Sequence, residues 1–320
     1  MHQKPTKFIA NDAGELQEAI SGADFQHYQM SRGQLVAKIL SLQNPRSSIF
    51  AGKYNQTLRL VGQMPGDGYP LILFSGQPKN EGHVNGRLLS QQSLAMFGLD
   101  GEVDALLPTD FECIVLKVPE VLLHHVAETM GIHDRSLKPK NGPMCEGEPQ
   151  TLKILSERIR ELLRTEEATQ DTYPFILSED TEEDLIAEYL NCLMQSTAEP
   201  VADRWRKRYQ VARRTDEYLR ANIHRQVTVT ELCREMQVSR RLLHYAMTDI
   251  YQASPIQYHL HLRLQSARRV LLSPRNRSTI LEIALKSGFN NAGHFSCYYT
   301  AMYGENPSST RSAYVKQILS

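Results

Sequence analysis

Ile280-Leu281-Glu282-Ile283-Ala284-Leu285-Lys286-Ser287-Gly288-Phe289-Asn290-Asn291-Ala292-Gly293-His294-Phe295-Ser296 is the stretch whose reading decides the fold. Thr279 and Glu282 stand at the spacing of a capping box, in which a hydroxyl and a carboxylate satisfy each other's orphan amides. The box opens a short helix with Ile283 and Ala284 inward. Ser287-Gly288 is a turn, because glycine supplies a positive φ at no steric cost. Phe289 follows as a buried wedge. Asn291 is the N-cap of a second helix. In that helix Phe295 and Tyr299 face inward at helical spacing, while Ala292, Gly293, His294, Ser296 and Cys297 face outward.

The same pattern stands upstream. Thr228-Val229-Thr230-Glu231 is another capping-box spacing, opening a helix with Leu232 and Cys233 on its buried face and an end near Met236. Gln237-Val238 makes the corner. Ser239 caps a helix from Arg240 to about Asp249, with Leu243 and Met247 inward and Arg240, Arg241, His244 and Tyr245 outside. The two caps, Ser239 and Asn291, lie 52 positions apart, joined by a helix from about Pro255 to Leu272 that Ser273-Pro274 stops. Pro255 suits the first helical position. A helix, a tight turn and a second helix with a polar N-terminal face form the unit that enters a DNA major groove. One such pattern is common in helical bundles whose stripes are only core. Two in tandem, joined by one helix, point to nucleic acid.

Charge supports that direction. The net charge of +0 hides a split. Residues 1–200 hold 17 Lys/Arg and 28 Asp/Glu, and residues 201–320 hold 19 and 8. A basic part carrying +11 suggests a polyanionic partner. Arg206, Lys207, Arg208, Arg213 and Arg214 lie on a basic helix from Arg206 to Ala221, read either as reach toward phosphate or as a solvated face. The five cysteines, Cys113, Cys145, Cys192, Cys233 and Cys297, contain no C-x-x-C pair, which suits reduced thiols in a cytoplasmic protein. The polar start, Met1 to Lys7, shows no secretory signal, and no run of 18 apolar residues suggests a membrane span.

Outward toward the N-terminus, the chain changes period. Short apolar runs at Leu35–Leu40, Leu58–Val61, Leu71–Phe74, Leu94–Phe97 and Cys113–Leu116 alternate with the turn-forming stretches Pro65–Gly68, Gly76–Pro78 and Leu99–Gly101. Such spacing predicts a small sandwich or barrel. Pro119 opens a helix that Gly131 stops. Residues 131–150 read as loop. Amphipathic helices follow over Leu152–Leu163 and Glu182–Met194, which either cover the sheet or pair with a second subunit. The expected organisation is therefore α+β with a strand-rich domain over 1–165, a helical linker region over 166–204 and an all-α domain over 205–320.

The C-terminal part resembles the AraC/XylS-type transcriptional regulators. The resemblance is carried by Ser239-Arg240-Arg241-Leu242-Leu243, by Arg263-Leu264 with Ala267 and Val270-Leu271-Leu272, and by Ile280, Ile283-Ala284, Gly288-Phe289-Asn290-Asn291 and His294-Phe295-Ser296. Tyr299, Tyr303-Gly304 and Pro307-Ser308 complete it. It covers roughly residues 206–315. The run from Val227 through Pro274 is similar to the subgroup of ethanolamine-utilisation regulators. Gln237, Gly293 and Cys297 depart from the family's commoner Gly, Ser and Arg.

The resemblance implies two reader helices held about 34 Å apart, entering successive major grooves. Arg241, His244, Tyr245, His294, Ser296 and Cys297 would then face bases. Arg241 offers a guanidinium fork to guanine, worth ~1–3 kcal/mol of discrimination. Thr228, Ser239, Arg240, Asn290 and Asn291 would meet phosphates, which position without specifying sequence. Each of these side chains also has a plainer reading as solvated rim, core cap or, for Cys297, small filler. Arg263 reads as an internal partner. The resemblance further implies a degenerate cupin-like barrel at the N-terminus, binding a small effector or dimerising, in a transcriptional activator whose partners are promoter DNA and RNA polymerase.

An enzyme is the other class to weigh. A metal-dependent cupin needs several histidines and a carboxylate on neighbouring strands, and the strand region offers only His83. His124 and His125 are consecutive on a helix, about 100° apart, and cannot easily share an ion. A DNA-repair protein with a similar helix-turn-helix would need a zinc-bound reactive cysteine set that the scattered cysteines do not supply. No catalytic residue, metal or cofactor is expected. Phe50, Tyr54, Tyr69, Phe74 and Phe97 either line an effector pocket or form core.

Overall fold

A computed structural model of the chain describes residues 6–19, 24–64, 66–76, 79–90, 92–132, 144–164, 177–196, 202–273 and 276–312. The elements, in chain order, are β1 (Thr6–Ala10), α1 (Ala13–Ala19), β2 (Asp24–Gln29), β3 (Ala37–Gln43), β4 (Ser48–Tyr54), β5 (Leu58–Gln63) and β6 (Tyr69–Gly76). Then come β7 (His83–Val84), β8 (Arg87–Leu88), β9 (Ser93–Met96), β10 (Glu102–Leu107), β11 (Phe111–Val118), α2 (Glu120–Thr129), β12 (Met144–Glu146), α3 (Pro149–Arg164) and α4 (Glu179–Gln195). The remainder is helical: α5 (Asp203–Ala221), α6 (Val229–Met236), α7 (Arg240–Tyr251), α8 (Pro255–Leu271), α9 (Ile280–Lys286) and α10 (Ala292–Tyr303). The chain divides into two compact units. Unit 1 comprises Met1–Gln26, Val36–Asn55 and Leu60–Pro200, and unit 2 comprises His27–Leu35, Gln56–Arg59 and Val201–Ser320.

The strands form a seven-stranded sheet in the order β1-β3-β4-β11-β6-β9-β12 and a five-stranded sheet in the order β2-β5-β10-β7-β8. This corrects the expected degenerate cupin-like β-barrel to two antiparallel sheets that do not close into one barrel. Closure requires the terminal strands to pair with each other. Among the described residues the outer strands of each sheet stay as edges, and β8 and β12 are only two and three residues long.

Register fixes what each face of the larger sheet does, because side chains alternate and cross-strand partners share a face. Leu42, Ile49, Leu116 and Leu71 form one row across β3, β4, β11 and β6. They pack in a single core with Leu155 and Ile159 of α3 and with Leu185, Ile186 and Leu190 of α4. The amphipathic helices thus cover the sheet. Tyr189 of α4 donates its hydroxyl to the Ala95 carbonyl at 2.7 Å. Glu182, at 2% exposure, accepts from Ser47 and from Arg46 Nε at 2.9 Å. Such anchoring makes α4, placed by the sequence in a linker over 166–204, part of the unit 1 core. The loop expected over 131–150 contains β12 and the start of α3, while 133–143 lie outside the described residues.

Candidate nucleic-acid interface

Both expected helix-turn-helix units form in unit 2, and local chemistry explains each. The Thr228 hydroxyl accepts from the Glu231 amide at 3.2 Å, starting α6. The Glu231 carboxylate is held by Arg225 and by the Tyr218 hydroxyl, the latter at 2.7 Å. These partners hold its pKa down at about 2. Gln237 takes φ 57° at the C-cap of α6. This is the left-handed region where glycine is normal. Ser239 then caps α7, accepting from Leu242 N at 3.2 Å. Leu232 and Met236 of α6 and Leu243, Ala246, Met247 and Ile250 of α7 are buried.

The second unit carries a full capping box. Thr279 Oγ1 accepts from Glu282 N at 3.2 Å, and Glu282 accepts from Thr279 N at 2.7 Å. Gly288 has φ +76°, and a Cβ there would meet the His224 carbonyl carbon at 2.9 Å. Two independent reasons therefore require glycine at this corner. Phe289 is buried under the Arg263 guanidinium, 4.1 Å from the ring centroid. Arg263 Nε donates to the Ser287 carbonyl at 2.8 Å, the internal role the sequence suggested. Asn291 caps α10, accepting from His294 N at 2.8 Å. Ile283, Ala284, Phe289, Phe295, Tyr299 and Met302 form a core with Leu264, Ala267 and Leu271 of α8. The bridging helix is itself started by a box that sequence reasoning missed, Ser254 with Gln257.

With the inward faces buried, the outward ones are left to solvent. Arg240, Arg241, His244 and Tyr245 of α7 are exposed, as are Asn290, Asn291, His294 and Cys297 at the second unit, while Ser296 is half-buried. Thr228 and Ser239 are exposed beside their caps. Two guanidinium groups lie near the Tyr245 ring, Arg208 at 5.1 Å and Arg241 at 5.5 Å from its centroid. His244 Nδ1 is 3.4 Å from Thr248 Oγ1. Several cations of α5 are engaged within unit 2: Arg208 pairs with Asp249, Arg206 with Asp203 and Arg213 with Glu217.

A buried polar network holds the first helix-turn-helix against α5 and α8. Asp216, at 1% exposure, accepts from Arg59 at 3.0 Å, from Arg220 at 3.1 Å and from the Tyr258 hydroxyl at 2.6 Å. Arg59 also donates to the Tyr251 hydroxyl at 3.2 Å and lies 4.7 Å from that ring's centroid. A second network at the other half joins Arg268 to Tyr299 at 3.0 Å and Glu305 at 2.8 Å. Burial lowers the pKa of His27 to about 3 and of His259 and His261 to about 4, with neighbouring arginines adding to the effect. These histidines are neutral at pH 7 and do not serve as cations for phosphate.

The five aromatic residues named for an effector pocket are not brought together. Tyr54 and Phe74 pack on Phe111, with centroids at 6.3 and 5.7 Å. By register, Phe50, Tyr54 and Phe74 share one face of the larger sheet, whereas Tyr69 packs on the opposite, helix-covered face. Phe97, just past β9, is 1% exposed.

Residues 232–313 match a family model described as a helix-turn-helix domain, so this part of the chain is of the helix-turn-helix class. The chain is 34% identical over 94 residues to the HTH-type transcriptional regulator ArgR of Pseudomonas aeruginosa, a match over 29% of this chain and 28% of that relative. It is 23% identical over 257 residues to the XylDLEGF operon transcriptional activator of Pseudomonas putida, covering 77% of this chain and 75% of that one. A solved structure of a probable AraC family transcriptional regulator from Rhodopseudomonas palustris is 32% identical and covers 33% of this chain and 97% of that chain, with a TM-score of 0.31. None of these names bears on the ethanolamine-utilisation subgroup. Among the described residues, no helix is long and apolar enough to cross a membrane.

Proposed function

We propose that this chain is an AraC-type transcriptional regulator that reads promoter DNA through α7 and α10. The observation that carries this is the sorting of the two reader helices. The inward stripes Leu243, Ala246, Met247 and Ile250 of α7 and Phe295, Tyr299 and Met302 of α10 are buried, and Arg240, Arg241, His244, Tyr245, His294 and Cys297 remain on the surface of helices capped by Ser239 and Asn291. Between the two units α8 supplies 17 residues, about 25 Å of rigid rod. Such a spacer suits readers placed in successive grooves. Arg241, His244, Tyr245, His294, Ser296 and Cys297 are the base-reading side, and Thr228, Ser239, Arg240, Asn290 and Asn291 the phosphate-positioning side.

The strand-rich unit 1 is the regulatory part in this proposal, responding to a small effector or a dimer contact. Promoter DNA and RNA polymerase in the cytoplasm are the partners. The relative named as an operon activator supports activation as the outcome. The test is a gel-shift titration of the full chain against salt. Log of the binding constant should fall with log of salt with a slope steeper than about −2, and Arg240→Ala should reduce that slope by about 1. A flat response refutes the reading.

A further inference from the structure

Unit 1 carries a cleft that its register makes unusual. It encloses about 280 Å³ and is lined by Lys7 of β1, Lys38 and Leu40 of β3, Ala51 and Lys53 of β4, Glu112 and Ile114 of β11, and Arg160 and Leu163 of α3. One row across the sheet reads Lys38, Lys53, Glu112 and Ser75, each directly opposite the next. The adjacent row on the same face reads Lys7, Leu40, Ala51, Ile114 and Leu73. A charged strip therefore borders an apolar floor, with the C-terminal part of α3 closing one side.

Among the described residues that line the cleft, cations outnumber carboxylates. Glu112 accepts from Lys53 Nζ at 2.6 Å and from Arg160 Nη2 at 3.1 Å, and Arg160 also donates to Ser75 at 2.7 Å. One carboxylate is thus shared by two cations. Lys38 stands directly opposite Lys53, a like-charge pair that destabilises a sheet. It has no ion-pair partner among the described residues. Lys38, Lys53 and Arg160 stand around the one lining carboxylate, Glu112, an excess of two positive charges above Leu40, Ala51, Ile114 and Leu163, while Lys7, also in the lining, has an interaction of its own. Arg160, one turn before the end of α3, offsets the negative end of that helix and keeps the cleft cationic. A volume near the lower bound of ordinary ligand sites, ~300–1,000 Å³, selects a small molecule.

We propose that this cleft binds a small organic dianion with an apolar body, its two charged groups meeting the Lys38–Lys53 strip and Arg160 and its carbon skeleton lying on Leu40 and Ala51. The proposal deepens the effector-control reading above by naming the site and the ligand class. It places the effector on the helix-covered face of the larger sheet, not among the aromatic side chains of the other face.

The experiment is isothermal titration of the full chain with glutarate and phthalate. Butyrate and benzoate serve as monoanion counterparts, and inorganic phosphate and sodium chloride as controls at matched ionic strength. A saturable isotherm for at least one organic dianion is expected, at least tenfold tighter than for its monoanion. Lys38→Gln should weaken it about tenfold, Lys38→Arg should restore it, and Lys153→Gln, an exposed position of α3 outside the cleft lining, should leave it unchanged. Equal response to phosphate or chloride, tighter binding of the monoanions, no isotherm with any dianion, or indifference to Lys38→Gln would each overturn the proposal. Lys38 has no part in the DNA interface, so DNA affinity without ligand should survive Lys38→Gln. Loss of DNA binding by the wild-type chain would refute the regulator reading while leaving the dianion site standing.

Discussion

Replacing Arg59 by methionine tests how the first helix-turn-helix is held. The guanidinium is 1% exposed, 157 positions from its carboxylate partner Asp216, and shared between that carboxylate and the Tyr251 hydroxyl. Methionine keeps most of the apolar stem and removes the charge. Asp216 would then remain buried with Arg220 at 3.1 Å and the Tyr258 hydroxyl at 2.6 Å. Breaking a buried pair by removing one partner costs about 3–5 kcal/mol, because the other charge stays buried. Arg220 still compensates part of that charge, which places the expected loss near the lower end, ~3 kcal/mol. Trp205 is the single tryptophan of the chain and lies in α5 of unit 2. Urea unfolding followed by its fluorescence therefore reports this unit selectively, and the midpoint should fall with an unchanged slope. Asp216→Ala should cost a similar amount. The double variant should lose clearly less than the two losses added, by more than ~1 kcal/mol of coupling. A loss below ~1 kcal/mol for Arg59→Met, or strict additivity in the cycle, would refute the claim that this pair holds α5, α7 and α8 together.

Other outcomes follow from the same geometry. Gly288→Ala combines a left-handed φ with a Cβ 2.9 Å from the His224 carbonyl carbon, so thermal unfolding should show a loss of about 2 kcal/mol or more. Gln237→Gly should do the reverse at φ 57°, raising stability by roughly 0.5–1 kcal/mol in denaturant titration. Thr279→Ala removes the cap of α9 and should cost about 1 kcal/mol by the same measurement. For pH, His27, His259 and His261 have folded pKa values below the ordinary 6.5. Between pH 6.5 and about 4 the unfolded chain therefore binds more protons than the folded one, and stability falls as pH falls. The slope should reach about 1.4 kcal/mol per pH unit for each histidine. Melting temperatures of unit 2 that stay level from pH 7 to 4.5 would contradict this burial.

What the sequence made legible was local chemistry. Thr228, Ser239, Thr279 and Asn291 each announce a helix start within three residues of the amide they cap, and all four accept that bond. The glycine corner at 288 and the inward stripe through Phe295 and Tyr299 were equally readable, because period and φ demand are properties of adjacent residues. The strand-rich half was readable only in part. The apolar runs located β3, β5, β6, β9 and β11, but the apolar run of β4 is broken by Gly52, where a Cβ would run into the Tyr54 hydroxyl. The pairing order, and with it two open sheets in place of a barrel, depends on contacts far apart in sequence. So do the Arg59–Asp216 pair, the Arg208–Asp249 pair that engages an arginine read either as reach toward phosphate or as a solvated face, and the Lys38–Lys53 juxtaposition. None has a signature in the residues around it.

The most direct test of the account is methylation interference at guanine N7, with the full chain on a site recovered by genome-wide mapping. Two clusters of major-groove guanines should appear about 10 base pairs apart. Arg241→Ala should relax sequence preference within one cluster, and His294→Ala should weaken the other alone. A single cluster, or no interference at guanine N7, would show that α7 and α10 do not enter successive major grooves.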